Sequence, residues 1–342
     1  MLKSPQVTIK DIAAIAGVSF STVSRCLNDS PLVSSVTKRK VSEIAAEMGF
    51  EFNASARGLI TSKIGTVGIV LPENYTAINV NVYHGMLMNH LRTSLERADV
   101  DLLVTYQKNH FTGGNNITRL ATRKKIDGLI LLTENISRDV LEFLEDRQIP
   151  FVCTHYPPAP NMKDQDVIYT DHYAGGRLVA EHLLSRGRRS FLVLAVAEPH
   201  LEFQLREQGF REAVEAAGFR VDRLAGDSTF DSARQIILEH REQLGAWDAI
   251  FTMNDLMAFG VHKTLKDLGL SIPDDIALVG YDDTEYGQYY SPTLTSVHQP
   301  REELAVLSCD RLFFQMKKQR EGAPILKKLI SIQPVLMVRE SS

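Results

Sequence analysis

The sequence of 342 residues contains few cysteines and no long hydrophobic run. Cys26, Cys153 and Cys309 are scattered without a C-x-x-C pair, which argues against a disulfide framework or a zinc site and favours a reducing compartment. No apolar run is long enough to span a bilayer, and the opening MLKSPQVTIK has no apolar h-region of a secretory signal. We therefore expect a cytoplasmic protein without membrane association.

Catalytic motifs are also missing. There is no G-x-S-x-G, H-E-x-x-H, Walker A or G-x-G-x-x-G pattern. The spacing of His84 and His90 does not suit a metal pair on one helix face, and Asp282 and Asp283, as neighbours in a strand, would point to opposite faces. We therefore expect no enzyme, no cofactor and no metal site. A cytoplasmic sugar-binding receptor or a sugar-processing enzyme without a DNA role stays open as the alternative.

Basic residues are concentrated near the start of the chain. Up to Lys63 there are eight basic and five acidic residues, a net charge of +3, which leaves −7 for the remainder of a chain whose net charge is −4. A basic N-terminal segment followed by an acidic remainder of the chain is consistent with a local DNA-binding module.

The stretch from Thr8 to Asn28, TIKDIAAIAGVSFSTVSRCLN, has the pattern of two short helices joined by a tight turn. Thr8 suits an N-cap, Gly17 can take the positive φ of a turn, and Ser19 can cap the second helix. The second helix has no carboxylate, which suits contact with phosphates and base edges. An ordinary helical hairpin is the alternative. Helical spacing predicts an inward apolar face of Ile9, Ile12, Ala13, Ile15, Ala16, Val23 and Leu27.

A third helix is predicted from about Val36 to Met48, between a serine cap and Gly49. Its apolar positions would pack on the first two helices. Lys38, Arg39 and Lys40 cluster near its start, where they would either reach a phosphate backbone or form a solvated face.

From Ile64 onward, apolar strand patterns alternate with amphipathic helices, which predicts parallel sheets with crossover helices. The stretch is too long for one ordinary sheet, so we expect an α/β core of two doubly wound parallel-sheet subdomains with a ligand between them. The predicted strands are Thr66–Leu71, Asp101–Thr105, Gly128–Leu132, Phe151–Cys153, Val167–Thr170, Ser190–Ala195, Ala249–Thr252 and Ile276–Gly280. The predicted helices are Asn81–Arg97, Asn115–Lys124, Arg138–Arg147, Ala174–Ser185, Phe203–Ala217, Ser232–Leu244, Asp255–Leu268 and Arg301–Lys318.

The motif T-I-K-D-I-A-x-x-A-G-V-S-x-S-T-V-S-R-x-L-N resembles the DNA-binding headpiece of the lac-repressor (LacI/GalR) family, and looser similarity continues to the C-terminus. The resemblance implies a helix-turn-helix headpiece at 1–52, a hinge helix and linker at 53–63, and a periplasmic-binding-protein-like core at 64–342. In such a core the chain crosses between subdomains three times, and we place the crossings near Asp164, Gln299 and Leu329. The N-subdomain would hold about 64–163 and 299–328, and the C-subdomain about 164–298 and 329–342.

The same resemblance implies a sequence-specific transcriptional regulator, with repression as the expected activity. Two headpieces of a homodimer would read a pseudo-palindromic operator in double-stranded DNA. A small-molecule effector, a sugar or sugar derivative, would bind between the core subdomains and change operator affinity allosterically. The ending L-M-V-R-E-S-S is typical of dimeric members. Whether the effector releases or promotes DNA binding is not encoded in any recognisable residue.

DNA contacts are assigned by resemblance to both the headpiece and the hinge. In the hinge segment NASARGL, Leu59 falls on the leucine that wedges between base steps in the minor groove, and Gly58 weakens the short helix. An ordinary linker residue is the alternative for Leu59. The assigned positions are Thr8, Ser19, Phe20, Ser21, Thr22, Ser24, Arg25, Asn28, Asn53, Ala56, Arg57 and Leu59.

Four residues match effector contacts of the family. Arg206 in L-R-E-Q-G-F, Asn254 in M-N-D-L-M-A and Asp282 in V-G-Y-D-D-T follow its motifs. Gln299 lies in a Gln-Pro crossover. A guanidinium, an amide and a carboxylate can together hold several hydroxyls, because each hydroxyl both donates and accepts hydrogen bonds. Each residue taken singly could instead cap a strand end or form a surface ion pair.

Three further effector positions rest on departures from the family pattern. Many members have P-D-x-x-N-P-F-F after the first strand, where this chain has PENYTAIN, so Tyr75 would take over the stacking role and Asn79 is a further contact. His155 replaces a frequent aspartate and would suit an acidic or phosphorylated ligand. A different neutral sugar and a capping histidine are the alternatives. Tyrosines between Tyr281 and Tyr290 can simply pack, and we assign them no contact.

Overall fold

The computed structural model describes residues 7–27, 30–50, 64–72, 81–134, 136–162, 164–197 and 200–342. The chain divides between Gly65 and Thr66 into two compact units, a small helical headpiece and a larger α/β core. Within the described ranges, no helix is both long enough and apolar enough to cross a membrane.

Three helices form the headpiece: α1 (Ile9–Ala16), α2 (Phe20–Leu27) and α3 (Ser35–Glu47). Thr8 precedes α1 as its N-cap, and the Asp11 carboxylate accepts hydrogen bonds from the amide (2.8 Å) and the hydroxyl (2.7 Å) of Thr8. Gly17 (φ 70°) ends α1 and Gly49 (φ 62°) follows α3. Both have the positive φ that glycine adopts without a steric penalty.

An apolar cluster shared by the three helices forms the headpiece core. Its buried members are Ile12, Ala16, Val23, Cys26, Val41 and Ala45. The expectation that Ile15 faces inward is wrong, since its side chain is 59% exposed. Ile15 is one residue, or about 100°, away from Ala16 around the helix, which puts it beyond the edge of the apolar stripe. Leu27 is half-buried, and Cys26 takes the fully buried position in the last turn of α2.

The core has the predicted alternation of strands and helices. Its strands are β1 (Thr66–Leu71), β2 (Asp101–Tyr106), β3 (Gly128–Leu131), β4 (Phe151–His155), β5 (Val167–Thr170), β6 (Phe191–Val196), β7 (Val221–Gly226), β8 (Ala249–Thr252), β9 (Ala277–Asp282), β10 (Thr295–His298), β11 (Leu329–Ile332) and β12 (Val335–Met337). Its helices are α4 (Asn81–Arg97), α5 (Asn116–Thr122), α6 (Arg138–Asp146), α7 (His172–Ser185), α8 (Leu201–Ala216), α9 (Phe230–Glu239), α10 (Asp255–Asp267) and α11 (Arg301–Arg320). Short 3₁₀ helices cover Pro160–Met162, Arg241–Ala246 and Glu285–Gln288.

Two six-stranded sheets carry the core. The first has the order β11-β5-β4-β3-β1-β2 and is parallel, and the second has the order β12-β10-β9-β8-β6-β7 and is parallel except for β12. We name the first sheet with α4 to α6 and α11 lobe 1, and the second sheet with α7 to α10 lobe 2. Each lobe buries its own apolar clusters against its sheet. The predicted class of two doubly wound parallel-sheet subdomains is confirmed.

The positions expected for two of the three crossings need correction. β5 and β11 pair with each other at the edge of the first sheet, with Val167 opposite Leu329. The chain therefore passes from lobe 1 to lobe 2 at Asp171 rather than near Asp164, and again at residues 333–334 rather than near Leu329. The middle crossing lies at residues 299–300, between β10 and α11. Strand patterns show where strands lie but not which sheet each one joins.

A buried ion pair anchors α11 to lobe 1. The Asp166 carboxylate has no exposed surface and accepts hydrogen bonds from Arg311 Nε (2.6 Å), Gln315 Nε2 (2.6 Å) and the Lys328 amide (2.9 Å). Gln315 also exchanges hydrogen bonds with both backbone groups of Phe151. A charge buried this completely is tolerated only because every acceptor direction is occupied.

Replacing Arg311 with leucine should lower the free energy of unfolding by about 3–5 kcal/mol, because it leaves the Asp166 carboxylate buried without its cation. Urea unfolding followed by circular dichroism measures the change. Arg177→Leu is the matched control, since Arg177 pairs with Glu181 one turn away on the surface of α7 and should cost less than about 1 kcal/mol. Equal losses for the two variants would contradict the anchoring role of Arg311.

Candidate functional site

A cavity of about 340 Å³ lies between the lobes, at the carboxyl ends of strands from both sheets. Parallel strands end at a common edge, so the loops that follow them bring their polar side chains together. The cavity is lined by Val82, Tyr83, His84, His155, Glu202, Phe203, Arg206, Ser228, Asn254, Leu256, Phe259, Asp282, Thr284, Tyr286, Tyr290 and Gln299.

Close packing of α7 on α8 positions Arg206. A Cβ atom at Gly176 would lie 2.0 Å from the carbonyl oxygen of Arg206, and one at Gly209 would lie 2.0 Å from that of Tyr173. Only glycine fits either position. The two helix backbones therefore touch, and this contact sets the place from which the Arg206 side chain reaches the cavity.

The Arg206 guanidinium is 2% exposed and is held on several sides. Its Nη1 donates to the Met253 carbonyl (2.6 Å), its Nε donates to His172 Nδ1 (3.3 Å), and its Cζ lies over the ring of Tyr281, 3.9 Å from the ring centre. Because Nδ1 of His172 accepts this hydrogen bond, the neutral form of His172 carries its proton on Nε2. Burial, with Arg206 adding to it, lowers the pKa of His172 well below its usual value.

Two carboxylates flank this guanidinium. Arg206 Nη2 lies 3.3 Å from Glu202 Oε2, and Nη1 lies 3.7 Å from Asp282 Oδ1. Burial raises the pKa of Glu202, while the charge of Arg206 acts in the opposite direction. Among the described lining residues, Arg206 is the sole lysine or arginine. The permanent positive charge of the cavity is therefore already balanced by the protein.

Asp282 lines the cavity and also contacts Gln299 in the middle crossing between the lobes. Its Oδ1 accepts a hydrogen bond from Gln299 Nε2 (2.7 Å), and burial raises its pKa to about 7 despite the nearby Arg206. Asp255 lies behind it and accepts hydrogen bonds from the amide (2.6 Å) and hydroxyl (2.9 Å) of Thr284, and burial raises its pKa as well. The negative charge of Asp282 adds to the effect of burial on Asp255, because two neighbouring buried carboxyls resist being ionised together.

His155 ends β4 with a φ of 78°, a left-handed conformation that is unusual for a non-glycine residue. Its Nε2 lies 3.4 Å from Glu202 Oε2, and its buried Nδ1 has no hydrogen-bond partner among the described residues. Burial, reinforced by His84 and His172, lowers the pKa of His155 well below its usual value. A neutral imidazole results, which does not supply the positive charge that an acidic ligand was expected to need.

Asn254 and Gln299 use part of their amides within the protein. Asn254 is the N-cap of α10, where its Oδ1 accepts from the Met257 amide (2.8 Å), and its Nδ2 donates to the Ser228 carbonyl (3.1 Å). Within the part of the chain that the structure describes, the buried Gln299 Oε1 and the buried Tyr83 hydroxyl have no hydrogen-bond partner. Unpaired buried acceptors and donors in a cavity wall are where a polar ligand gains most, since they have already lost water.

Five of the seven effector positions predicted from sequence line the cavity: His155, Arg206, Asn254, Asp282 and Gln299. Tyr75 and Asn79 lie outside the described residues. Lining residues that were missed include Tyr83 and His84 at the start of α4, Glu202 one turn before Arg206, and the tyrosines Tyr286 and Tyr290. The letters N-V-Y-H at 81–84 follow the spacing of N-P-F-F further along the chain, a signal that could have revealed the first two.

The headpiece presents one face of α2 to solvent. Phe20 is 54% exposed, and Ser21 and Arg25 are exposed on the same side, opposite the buried Val23 and Cys26. Of the other residues assigned to DNA, Thr8 and Ser19 are exposed, Thr22 and Ser24 are half-buried, and Asn28, Asn53, Ala56, Arg57 and Leu59 lie outside the described residues.

Two of the polar headpiece residues also have structural roles. The Ser19 hydroxyl accepts a hydrogen bond from the Thr22 amide (3.1 Å) and so caps α2. Lys40 Nζ donates to the Ala16 carbonyl (3.0 Å) and caps the C-terminus of α1. Lys40 is therefore not simply part of a solvated basic face.

A three-helix headpiece with an exposed polar helix, carried in one chain with a two-lobed core that encloses a ligand-sized cavity, defines the class of ligand-responsive DNA-binding regulators. Residues 8–53 match the family of bacterial regulatory proteins, lacI family, and residues 180–342 match the periplasmic binding protein-like domain. The ribose operon repressor of Escherichia coli (strain K12) is 30% identical over 98% of this chain and 99% of that protein. The chain belongs to the LacI family.

Solved structures agree with this assignment. The transcriptional regulator CelR in its cellobiose complex is 26% identical, with a TM-score of 0.70 over 98% of this chain and 100% of that one. The lac repressor dimer bound to operator and the anti-inducer ONPF, at 24% identity and a TM-score of 0.78 over 98% of each chain, shows the same fold. The chain is thus a DNA-binding transcriptional repressor that responds to a small-molecule effector, and the expectation that it is not an enzyme is confirmed by the repressor function of its relatives.

The raised pKa of Asp282 has a measurable consequence for stability. Burial raises its pKa to about 7 in the folded protein from an ordinary value of 3.8, so between these values the folded state binds a proton that the unfolded chain releases. The free energy of unfolding should therefore fall as the pH rises through this window. In Asp282→Asn this contribution is absent, so the stability of the variant relative to wild type should rise by about 2 kcal/mol between pH 5 and pH 8.

Urea unfolding of both proteins at the two pH values measures this difference. Asp267→Asn is the control, because Asp267 is exposed on the surface of α10, where it pairs with Lys263. A stability difference between wild type and Asp282→Asn that stays constant with pH would count against a raised pKa.

Proposed function

We propose that the chain is a cytoplasmic homodimeric repressor whose effector is a neutral polyhydroxylated molecule, a sugar or sugar derivative, bound in the cavity between the lobes. Arg206 flanked by Glu202 and Asp282 is the observation that carries the proposal. A phosphate or carboxylate placed there would meet two acidic side chains beside Arg206, the sole lysine or arginine among the described lining residues. Like-charge contact of this kind discriminates strongly against an anionic ligand.

The size of the cavity agrees with a sugar. A cavity of about 150 Å³ holds one benzene ring, so about 340 Å³ has room for one or two six-membered rings. Aromatic side chains supply apolar walls, and the few polar groups can fix the orientation of hydroxyls. These walls are formed by Tyr83, Phe203, Phe259, Tyr286 and Tyr290. The acidic or phosphorylated ligand that His155 suggested is the less favoured alternative.

Reading of the operator would use the exposed face of α2. Phe20, Ser21 and Arg25 lie side by side on that face, and Arg25 is the residue best suited to a bidentate contact with guanine or a phosphate. Two headpieces in a homodimer would place two such helices on the half-sites of a pseudo-palindrome. We retain the domain boundaries at 52 and 63 as part of this proposal.

Thermal unfolding against a panel of neutral sugars, sugar acids, sugar phosphates and nucleobases tests the ligand class. A ligand at about one hundred times its Kd should add about 2.7 kcal/mol to the free energy of unfolding, which raises Tm by about 2–4 °C. We expect ribose, cellobiose or another neutral sugar to give the shift. A shift produced only by a phosphorylated or acidic compound would overturn the neutral-ligand proposal.

Arg206→Lys should weaken binding of the neutral sugar found by this panel by about 10- to 100-fold, because lysine keeps the charge but loses the planar donor fork. Lysine is preferable to alanine, since alanine would leave Glu202 buried without its partner. Isothermal titration calorimetry measures the Kd. Arg211→Lys is the control, because Arg211 lies on the same helix but is 38% exposed and does not line the cavity. Unchanged affinity in Arg206→Lys would remove Arg206 from the ligand site.

Arg25→Ala should weaken operator binding by about 1–3 kcal/mol without changing the stability of the headpiece, since Arg25 is exposed. The probe is the oligonucleotide that the wild-type protein selects from a random pool, and fluorescence anisotropy at fixed salt measures the Kd. Arg177→Ala in lobe 2 is the control. Wild-type affinity in Arg25→Ala would show that the exposed face of α2 does not read DNA.

A further inference from the structure

Two imidazole–carboxylate pairs join the lobes at the start of α8. His200, the N-cap residue of α8, donates from Nδ1 to Glu134 Oε1 of lobe 1 at 2.6 Å. Glu202, in the first turn of α8, lies 3.4 Å from His155 Nε2 of lobe 1. The histidine belongs to lobe 2 in the first pair and to lobe 1 in the second. The start of α8, including its N-cap, is therefore a place where lobe 2 contacts lobe 1 across the cleft.

The two pairs differ in burial and in their relation to the ligand cavity. His155 and Glu202 line the cavity, and their side chains are only 2% and 8% exposed. Glu134 and His200 do not line it, and their side chains are 21% and 25% exposed. We call Glu134 and His200 the outer pair. Because the outer pair does not line the cavity, either residue can be replaced without removing a group that would contact the ligand.

The outer pair exists only when the lobes are close together. Glu134 follows β3 in lobe 1 and His200 precedes α8 in lobe 2. Among the described segments, the lobes are linked covalently through the three crossovers at residues 171, 299–300 and 333–334. Two compact bodies joined by short strands of this kind move as hinged units. A short hydrogen bond to a carboxylate between such bodies shifts their equilibrium toward the closed arrangement.

We propose that Glu134 and His200 are positioning residues that form an interlobe latch, which holds the cleft closed before any ligand binds. The proposal rests on the proposed function, because lobe closure is the step through which an effector would alter operator affinity. A latch that populates the closed state raises the apparent affinity for a ligand that binds that state. Because Arg206 is on the same helix, six residues after His200, closing the latch also brings Arg206 to its place opposite lobe 1.

Distances between spin labels test the latch without any ligand. Asp139 on α6 and Asp231 on α9 are exposed, one in each lobe, and the native cysteines Cys26, Cys153 and Cys309 are buried. Full-length chains labelled at Cys substitutions of these two aspartates are mixed with excess unlabelled chain, so that each dimer carries one labelled copy. Double electron–electron resonance then reports the distribution of distances between the lobes.

Glu134→Ala and His200→Ala should each raise the ratio of open to closed molecules by about tenfold, the effect of losing one charge-assisted hydrogen bond. The exchanged pair, Glu134→His combined with His200→Glu, should return the distribution to that of wild type. His90→Ala is the control, because His90 lies 3.9 Å from Glu302 and both residues are in lobe 1. This variant should leave the distances unchanged.

Rescue by the exchanged pair separates a latch from a merely structural role, since a fold defect would not be repaired by exchanging the residues. Distances that stay at the wild-type values in both single variants would overturn the latch, whatever the operator experiments show. Conversely, a wild-type protein that selects no oligonucleotide would overturn the proposed function while a shift in the single variants still supported the latch.

Discussion

The guanidinium of Arg206 lies between two carboxylates, 3.3 Å from Glu202 and 3.7 Å from Asp282, in a region that little water reaches. Buried acidic groups are stable only when a cation and hydrogen bonds replace their solvation. Both carboxylates therefore depend on Arg206, and Arg206 depends on the Met253 carbonyl and His172 to hold it. The proposed ligand contacts and the packing of lobe 2 share one set of residues, so we expect a change at this arginine to alter both.

The arrangement of the sheets explains why such a cluster can form at the centre of the molecule. Each lobe ends its parallel strands at an edge that faces the other lobe, and the polar residues at those ends come from distant parts of the chain. Neither lobe alone could surround a ligand, because His155 comes from lobe 1 while Glu202 and Arg206 come from lobe 2. A ligand between them has unequal contacts in open and closed arrangements, which is the requirement for control of a second site.

Predictions from the sequence were most accurate where apolar residues repeat regularly. Buried strands such as Thr66–Leu71 and Ala249–Thr252 were found at their observed bounds, since a strand covered on both faces reads as a continuous apolar run. β7, with the sequence VDRLAG, was missed because it is an edge strand with exposed positions. The short strands β10, β11 and β12 were missed as well, and with them the crossings at residues 171 and 333–334, because partner choice between sheets leaves no local pattern.

By itself the sequence predicted the alternation of strands and helices from local spacing. Its resemblance to the LacI/GalR family implied the class of protein and the motif residues Arg206, Asn254, Asp282 and Gln299. Tertiary structure alone decided the charge of the site. Glu202 pairs with Arg206, and burial lowers the pKa of His155, so a residue that suggested an acidic ligand from its type lies in a cavity that we propose for a neutral one. Protonation and charge balance depend on the removal of water and on neighbours far away in the chain, and only folding brings these together.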